Sequence, residues 1–107
     1  MVYELRIYHM NSGKMENICN RFKDYTLRLF EKHGIKVSDF WIDAKGNETI
    51  YYVCEFESEE KRIALWDSFR NDPEWMKARE ESEKDGAIVS SVDSYVMTDA
   101  SFFTKTK

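Results

Sequence analysis

The feature that most constrains this chain is a change of period near its start. Residues 2–10 repeat every two: Tyr3, Leu5 and Ile7 share one side, and Glu4, Arg6, Tyr8 and Met10 the other. A period of two is the mark of a strand. Asn11-Ser12-Gly13 interrupts it. Met15, Ile18, Cys19, Phe22, Tyr25, Leu29 and Phe30 then recur at steps of three and four, as one apolar stripe on a helix. Asn17, Asn20, Arg21, Asp24, Arg28 and Glu31 fill the polar side of that wheel. His33-Gly34 closes the helix: glycine accepts the left-handed backbone and the histidine suits the dipole.

Strand-type segments follow at 35–43 and 49–57, joined by the turn Ala44-Lys45-Gly46-Asn47. In the second of these, Ile50, Tyr52, Cys54 and Phe56 share one face, and Tyr51, Val53 and Glu55 the other. Ser58 before Glu59-Glu60 reads as a helix N-cap, and Ile63, Trp66 and Phe69 supply the stripe. Asp72-Pro73 stops that helix and starts another, with Asp72 as cap, Pro73 in the first turn, and Trp75 and Ala78 continuing the buried face. The charged run 79–85 reads as a solvated helix end. Residues 87–103 return to strand type, and the tail from Thr104 is expected to fray.

Strand, helix, strand, strand, broken helix, strand is the ferredoxin-like βαββαβ pattern. It describes an α+β fold with a four-stranded antiparallel sheet and helices on one face. At 107 residues the chain has the length of a single domain, spanning residues 1–107. Sixteen basic and twenty acidic residues give a net charge of −4, which disfavours nucleic acid as a partner. No apolar run reaches membrane-spanning length and no signal-type segment follows Met1, so no membrane insertion and a cytoplasmic location are expected. Cys19 and Cys54 lie within apolar patterns and read as buried thiols.

Sixteen aromatic residues are many for one small core. If Tyr3, Leu5 and Ile7 lie under the helices, the opposite face carries Glu4, Arg6, Tyr8 and Met10 with Tyr51, Val53 and Glu55. Val37, Asp39 and Trp41 join them from the second strand, with Phe40 and Ile42 under the helices, and Tyr95 and Met97 from the last. So large an apolar and charged patch calls for a cover, and a second copy is the simplest. The expectation is a homodimer whose sheets pack face to face and enclose a small-molecule pocket.

On that reading Arg6 anchors an anionic ligand, Glu4 or Glu55 moves a proton, and Tyr8, Asp39, Trp41, Tyr51, Tyr95 and Met97 line the pocket. The structural alternative makes Glu4–Arg6 a buried ion pair and the aromatics plain interface packing. His9 has the wrong parity for the pocket. No histidine pair or Cys/His/acid cluster has ligand spacing, so no metal is expected. No phosphate loop or nucleophile motif occurs. Whether the chain is an enzyme is left open by these residues.

Tyr3-Glu4-Leu5-Arg6, Tyr8, Gly13-Lys14, His33-Gly34-Ile35 and Phe40-Trp41 resemble the NIPSNAP family. Phe56-Glu57-Ser58, Arg62, Trp66, Phe69 and Asp72-Pro73-Glu74-Trp75 extend the match over nearly the whole chain. The resemblance implies a dimeric α+β barrel, a superfamily that includes cofactor-independent monooxygenases, haem-degrading enzymes, small isomerases and stress proteins. It predicts a pocket better than a reaction. No cofactor is expected: the haem degraders use a histidine ligand, and His33 has no supporting motif. Asp39 stands where the family commonly has glycine before Phe-Trp, so the pocket lining departs from that of relatives. Two functions fit. One is a homodimer binding a small aromatic or anionic molecule, as a cofactor-free oxygenase or isomerase in its catalytic form. The other is a non-catalytic interaction protein whose aromatic face only dimerises.

Overall fold

The structure, a computed structural model, describes residues 1–104; the remainder of the tail expected to fray lies outside the described residues. The strands are β1 (Val2–Met10), β2 (Lys36–Ile42), β3 (Thr49–Phe56) and β4 (Val89–Thr98). The helices are α1 (Met15–Arg21), α2 (Leu27–Lys32), α3 (Glu59–Arg70) and α4 (Pro73–Ser82), with a π-helical turn at Phe22–Thr26 joining α1 to α2. The sheet is antiparallel throughout, in the order β2-β3-β1-β4. This is the expected ferredoxin-like arrangement, with β2 and β4 as edge strands.

The helices form where the capping chemistry placed them. The Ser58 hydroxyl accepts the Lys61 N–H at 3.1 Å, and the Asp72 carboxylate accepts the Glu74 N–H at 2.8 Å with Pro73 opening α4. Ser58→Ala is expected to cost about 1 kcal/mol, read as a lowered midpoint in urea denaturation. The core is aromatic. Phe30 packs against Phe22, Tyr52, Trp66 and Phe69, and the Phe40 and Tyr52 rings stack at 5.3 Å.

Three expectations about facing are corrected. First, Glu4, Arg6, Tyr8 and Met10 lie under the helices, and Tyr3, Leu5 and Ile7 face away. Register makes this unavoidable: Glu4 pairs with Cys54, Arg6 with Tyr52 and Tyr8 with Ile50. Paired residues share a face, and the apolar set of β3 is the one the helices cover. Second, β2 carries an irregularity between Val37 and Asp39, so Val37 and Phe40 share the helix-covered face while Asp39 and Trp41 stay on the open one. Third, the π-turn advances the α1–α2 stripe by one residue. Thr26 becomes buried in place of Tyr25, which is exposed, and Arg21 turns inward to 6% exposure.

The two faces of the sheet therefore differ in kind. The covered face holds the buried ion pairs of Glu4 with Arg6 and Arg62. The open face is predominantly apolar: Leu5 lies between Val53 and Tyr95, Tyr3 pairs with Met97, and Ile7 and Trp41 flank Tyr51. Trp41 is 50% and Tyr95 55% exposed. Glu55 lies on this face and pairs with Lys36 at 3.1 Å. His9 has the parity of the open face, not of the helix side, and bonds Asp93 at 2.9 Å.

Candidate functional site: a cationic cleft between helices and sheet

At the centre of the covered face sits Glu4, 1% exposed. One of its carboxylate oxygens accepts from the Trp66 indole at 2.7 Å and the Arg62 guanidinium at 2.9 Å. The other accepts from Arg6 at 2.8 Å and the Ser94 hydroxyl at 2.7 Å. Burial pushes this carboxyl up, but the bonds from Ser94, Arg6, Arg62 and Trp66 outweigh it and hold the group at about 2. Glu4 is a fixed anion with both oxygens engaged. It positions Arg6 and Trp66 and is poorly suited to move a proton.

Arg6 continues the network. Its Nε donates to the Tyr52 hydroxyl at 2.9 Å, and that hydroxyl shares a 2.9 Å bond with Tyr8. Burial works against the Arg6 charge, but the Tyr52 and Tyr8 oxygens and Glu4 raise its affinity for the proton on balance. Burial drives the Tyr52 hydroxyl well above its ordinary range, so it stays a neutral phenol. Burial likewise pushes the Cys54 thiol up to about 12, which removes it as a nucleophile.

Beside this network a cleft of about 340 Å³ opens between the helices and the β1–β4 half of the sheet. Arg6 and Tyr8 enter from β1, Arg21 from α1, Trp66, Phe69 and Arg70 from α3, and Trp75 and Arg79 from α4. Glu83 and residues 89–92 complete the wall. Indole faces carry the guanidiniums: Arg6 lies 4.6 Å and Arg70 5.7 Å from the Trp66 ring, and Arg21 lies 5.3 Å from that of Trp75.

Arg21 stands apart within this set. Its nearest carboxylate, Glu83, is 3.9 Å away, and its Nη1 makes a long 3.3 Å bond to Ser82. Its Nε has no hydrogen-bond partner and is the one such buried side-chain atom among the described residues. Burial, reinforced by Arg79, lowers its proton affinity against the pull of Glu83. Arginine nonetheless remains charged at any ordinary pH. A buried guanidinium with an orphaned donor is costly unless something else satisfies it.

Comparison with known proteins now bears on this arrangement. The NIPSNAP family model matches residues 3–103. The chain belongs to the NIPSNAP family. An uncharacterised NIPSNAP domain protein from Burkholderia xenovorans superposes at a TM-score of 0.82, with 17% identity over 98% of this chain and 100% of that one. A NIPSNAP family protein from Agrobacterium tumefaciens gives 0.82 at 14% identity, covering 94% of each chain. A Nitrosomonas europaea protein carrying only a provisional name, as an antibiotic biosynthesis monooxygenase, gives 0.66 at 8% identity, covering 92% and 98%. At these identities the likeness is one of fold. No curated protein gives a significant match.

In this NIPSNAP chain the residues singled out from sequence separate into two groups. Arg6 and Tyr8 line the cleft under the helices, with Glu4 directly behind them. Asp39 and Met97 border a depression of about 310 Å³ on the open face, with Tyr3, Val53 and Phe103. Trp41, Tyr51 and Tyr95 lie elsewhere on that face, and the Tyr51 hydroxyl is spent on Asp43 at 3.0 Å. No single pocket between the open face and a partner can therefore contain all of them.

Sequence reasoning missed Arg21, Arg70 and Arg79, and took Trp66 and Trp75 only as core. One signal was available. Arg70 and Arg79 each follow a tryptophan by four residues on a helix, the spacing that lays a guanidinium beside the preceding ring. Among the described residues no group of His, Cys, Asp and Glu has the geometry to hold a metal ion. No helix there is long and apolar enough to cross a membrane.

Proposed function

We propose that this NIPSNAP protein is a homodimer in which each copy binds a small anionic molecule in its helix-side cleft. Cleft binding rests on one observation, the four guanidiniums of Arg6, Arg21, Arg70 and Arg79 lining one cavity with Glu83 as its lining carboxylate. A ligand anion would pair with the guanidiniums that line the cavity, and Tyr8, Phe69 and Val92 offer an apolar bed for the rest of the molecule. The dimer rests on the open sheet face. Tyr3, Leu5, Ile7, Val53, Tyr95 and Met97 form a continuous apolar surface that a self-complementary partner would bury. Residues 1–107 act as one domain in this reading.

Binding is favoured over catalysis by the state of Glu4. A cofactor-free oxygenase or isomerase step needs a group that accepts a proton from the ligand, and the carboxylate nearest Arg6 is held ionised with both oxygens occupied. Glu83 is the carboxylate that lines the cleft itself.

Trp66 and Trp75 make the cleft self-reporting. Benzoate is expected to change tryptophan fluorescence saturably, and Arg70→Gln to weaken that binding about tenfold, the loss of one charge-assisted contact. Arg70 is exposed, so its substitution leaves the fold intact. Saturable binding that ignores both Arg70→Gln and Arg21→Met would place the ligand elsewhere. With no saturable binding of any anion, the chain is left as an interaction protein whose aromatic face only dimerises.

A further inference from the structure

Resting on the cleft-binding reading above, the charges and donors of the cleft go further and name the anion. Glu4 neutralises Arg6, and Arg62 has Glu59 as a second carboxylate. What remains facing the cavity is Arg21, Arg70 and Arg79 against the single carboxylate of Glu83. Glu83 lies 3.9 Å from Arg21 and 3.5 Å from Arg79, shared between them as two long ion pairs. Two positive charges are thus unbalanced around the cavity, where Arg70 and Arg79 also meet solvent. A monoanion would leave one of them uncompensated.

The donors point the same way. The Arg70 side chain makes no hydrogen bond or ion pair among the described residues, Arg21 holds only a long bond to Ser82 and a long ion pair with Glu83, and Ser90 of β4 borders the same cavity. These groups come from α1, α3 and β4, three elements that border the cleft. A carboxylate presents two oxygens in one plane. A phosphoryl group presents three oxygens around a tetrahedral centre and meets donors arriving from several sides. The guanidiniums of Arg21 and Arg70 are already held against indole faces, so little of their freedom is lost on binding. We infer that the cleft is a binding site for a phosphate-monoester dianion, with Arg21 and Arg70 as the residues that select two charges over one.

Isothermal titration of the full chain tests this with four probes: phenylphosphonate, its monoethyl ester, benzoate and inorganic phosphate. Phenylphosphonate at pH 8 carries two charges, while its monoethyl ester and benzoate carry one on the same ring. The expected result is phenylphosphonate binding at least about tenfold tighter than either monoanion, with the advantage lost in Arg70→Gln. Arg21→Met is expected to lose it too, and because Arg21 is buried, the exposed Arg70 variant keeps the test valid if Arg21→Met misfolds. Inorganic phosphate binding as tightly as phenylphosphonate would support the dianion site and identify free phosphate as a sufficient ligand. Benzoate or the monoester equalling phenylphosphonate would overturn the dianion inference while leaving the anion-binding cleft standing. Failure of all four probes to bind would overturn both.

Discussion

Glu4→Gln is expected to destabilise the chain by about 3–5 kcal/mol, because it removes the charge from a buried carboxylate and leaves Arg6 and Arg62 facing an amide. For a chain of this size that is a drop of more than about 10 °C in Tm, measured by circular dichroism. An amide also donates, so at least one of the four groups now pointing at Glu4 would meet a donor rather than an acceptor. The same carboxylate sets the acid limb of stability. Its folded-state value of about 2 lies below the ordinary 4.5, so its contribution is fully present above 4.5. That contribution is lost as pH falls from 4.5 towards 2. At about 1.4 kcal/mol for each tenfold change in proton affinity it amounts to about 3 kcal/mol. Wild type should lose stability across that window, and Glu4→Gln should show a flatter profile there. Equal acid limbs in the two proteins would mean that Glu4 is not the buried anion described.

Leu5→Arg is expected to convert the proposed dimer to a monomer. Leu5 lies mid-strand on the open face, directly between Val53 and Tyr95. An arginine there would have to enter an apolar interface without a partner, at several kcal/mol per site and hence a weakening of a hundredfold or more. Because the side chain faces away from the helices, the monomer should keep the wild-type far-ultraviolet spectrum. Light scattering coupled to size exclusion reads the mass directly. A wild type that is monomeric at micromolar concentration, or a variant that stays dimeric, would remove the open face as the interface.

Which elements form was legible in the sequence because each has its own period and its own cap: the alternation of residues 2–10, the three-four stripe after Met15, Ser58 and Asp72-Pro73. Which way they face was less so. In β1 the more apolar parity is Tyr3, Leu5 and Ile7, and hydrophobicity alone puts it inside. The structure inverts it because β1 is sandwiched between β3 and β4, and the stronger apolar set of β3 dictates parity by register. Four donors then make the burial of Glu4 tolerable. No local pattern announces this, since Ser94, Arg62 and Trp66 lie 58 to 90 residues away. The irregularity in β2 and the π-turn are each one-residue shifts, too small to disturb a periodicity yet enough to move Val37 and Arg21 to the other side. The site was half-legible for the same reason. Arg6 and Tyr8 were singled out correctly as polar groups on a strand, but assigned to the wrong face, and the cleft's other arginines looked like ordinary solvated charges.

The π-turn at Phe22–Thr26 makes the chemistry of the cleft hostage to a single codon. With α2 anchored by Leu29 and Phe30, deleting one residue from that turn would restore a continuous α-helix and rotate α1 by about 100° about its axis. Arg21 would swing out of the cleft, and its orphaned donor would reach water. The same rotation would carry Ile18 out of the core and disturb the packing of Phe22 on Phe30 and Tyr52. One small insertion or deletion there would thus move Arg21 and Ile18 together, so this turn ties the charge of the cleft to the packing of the core.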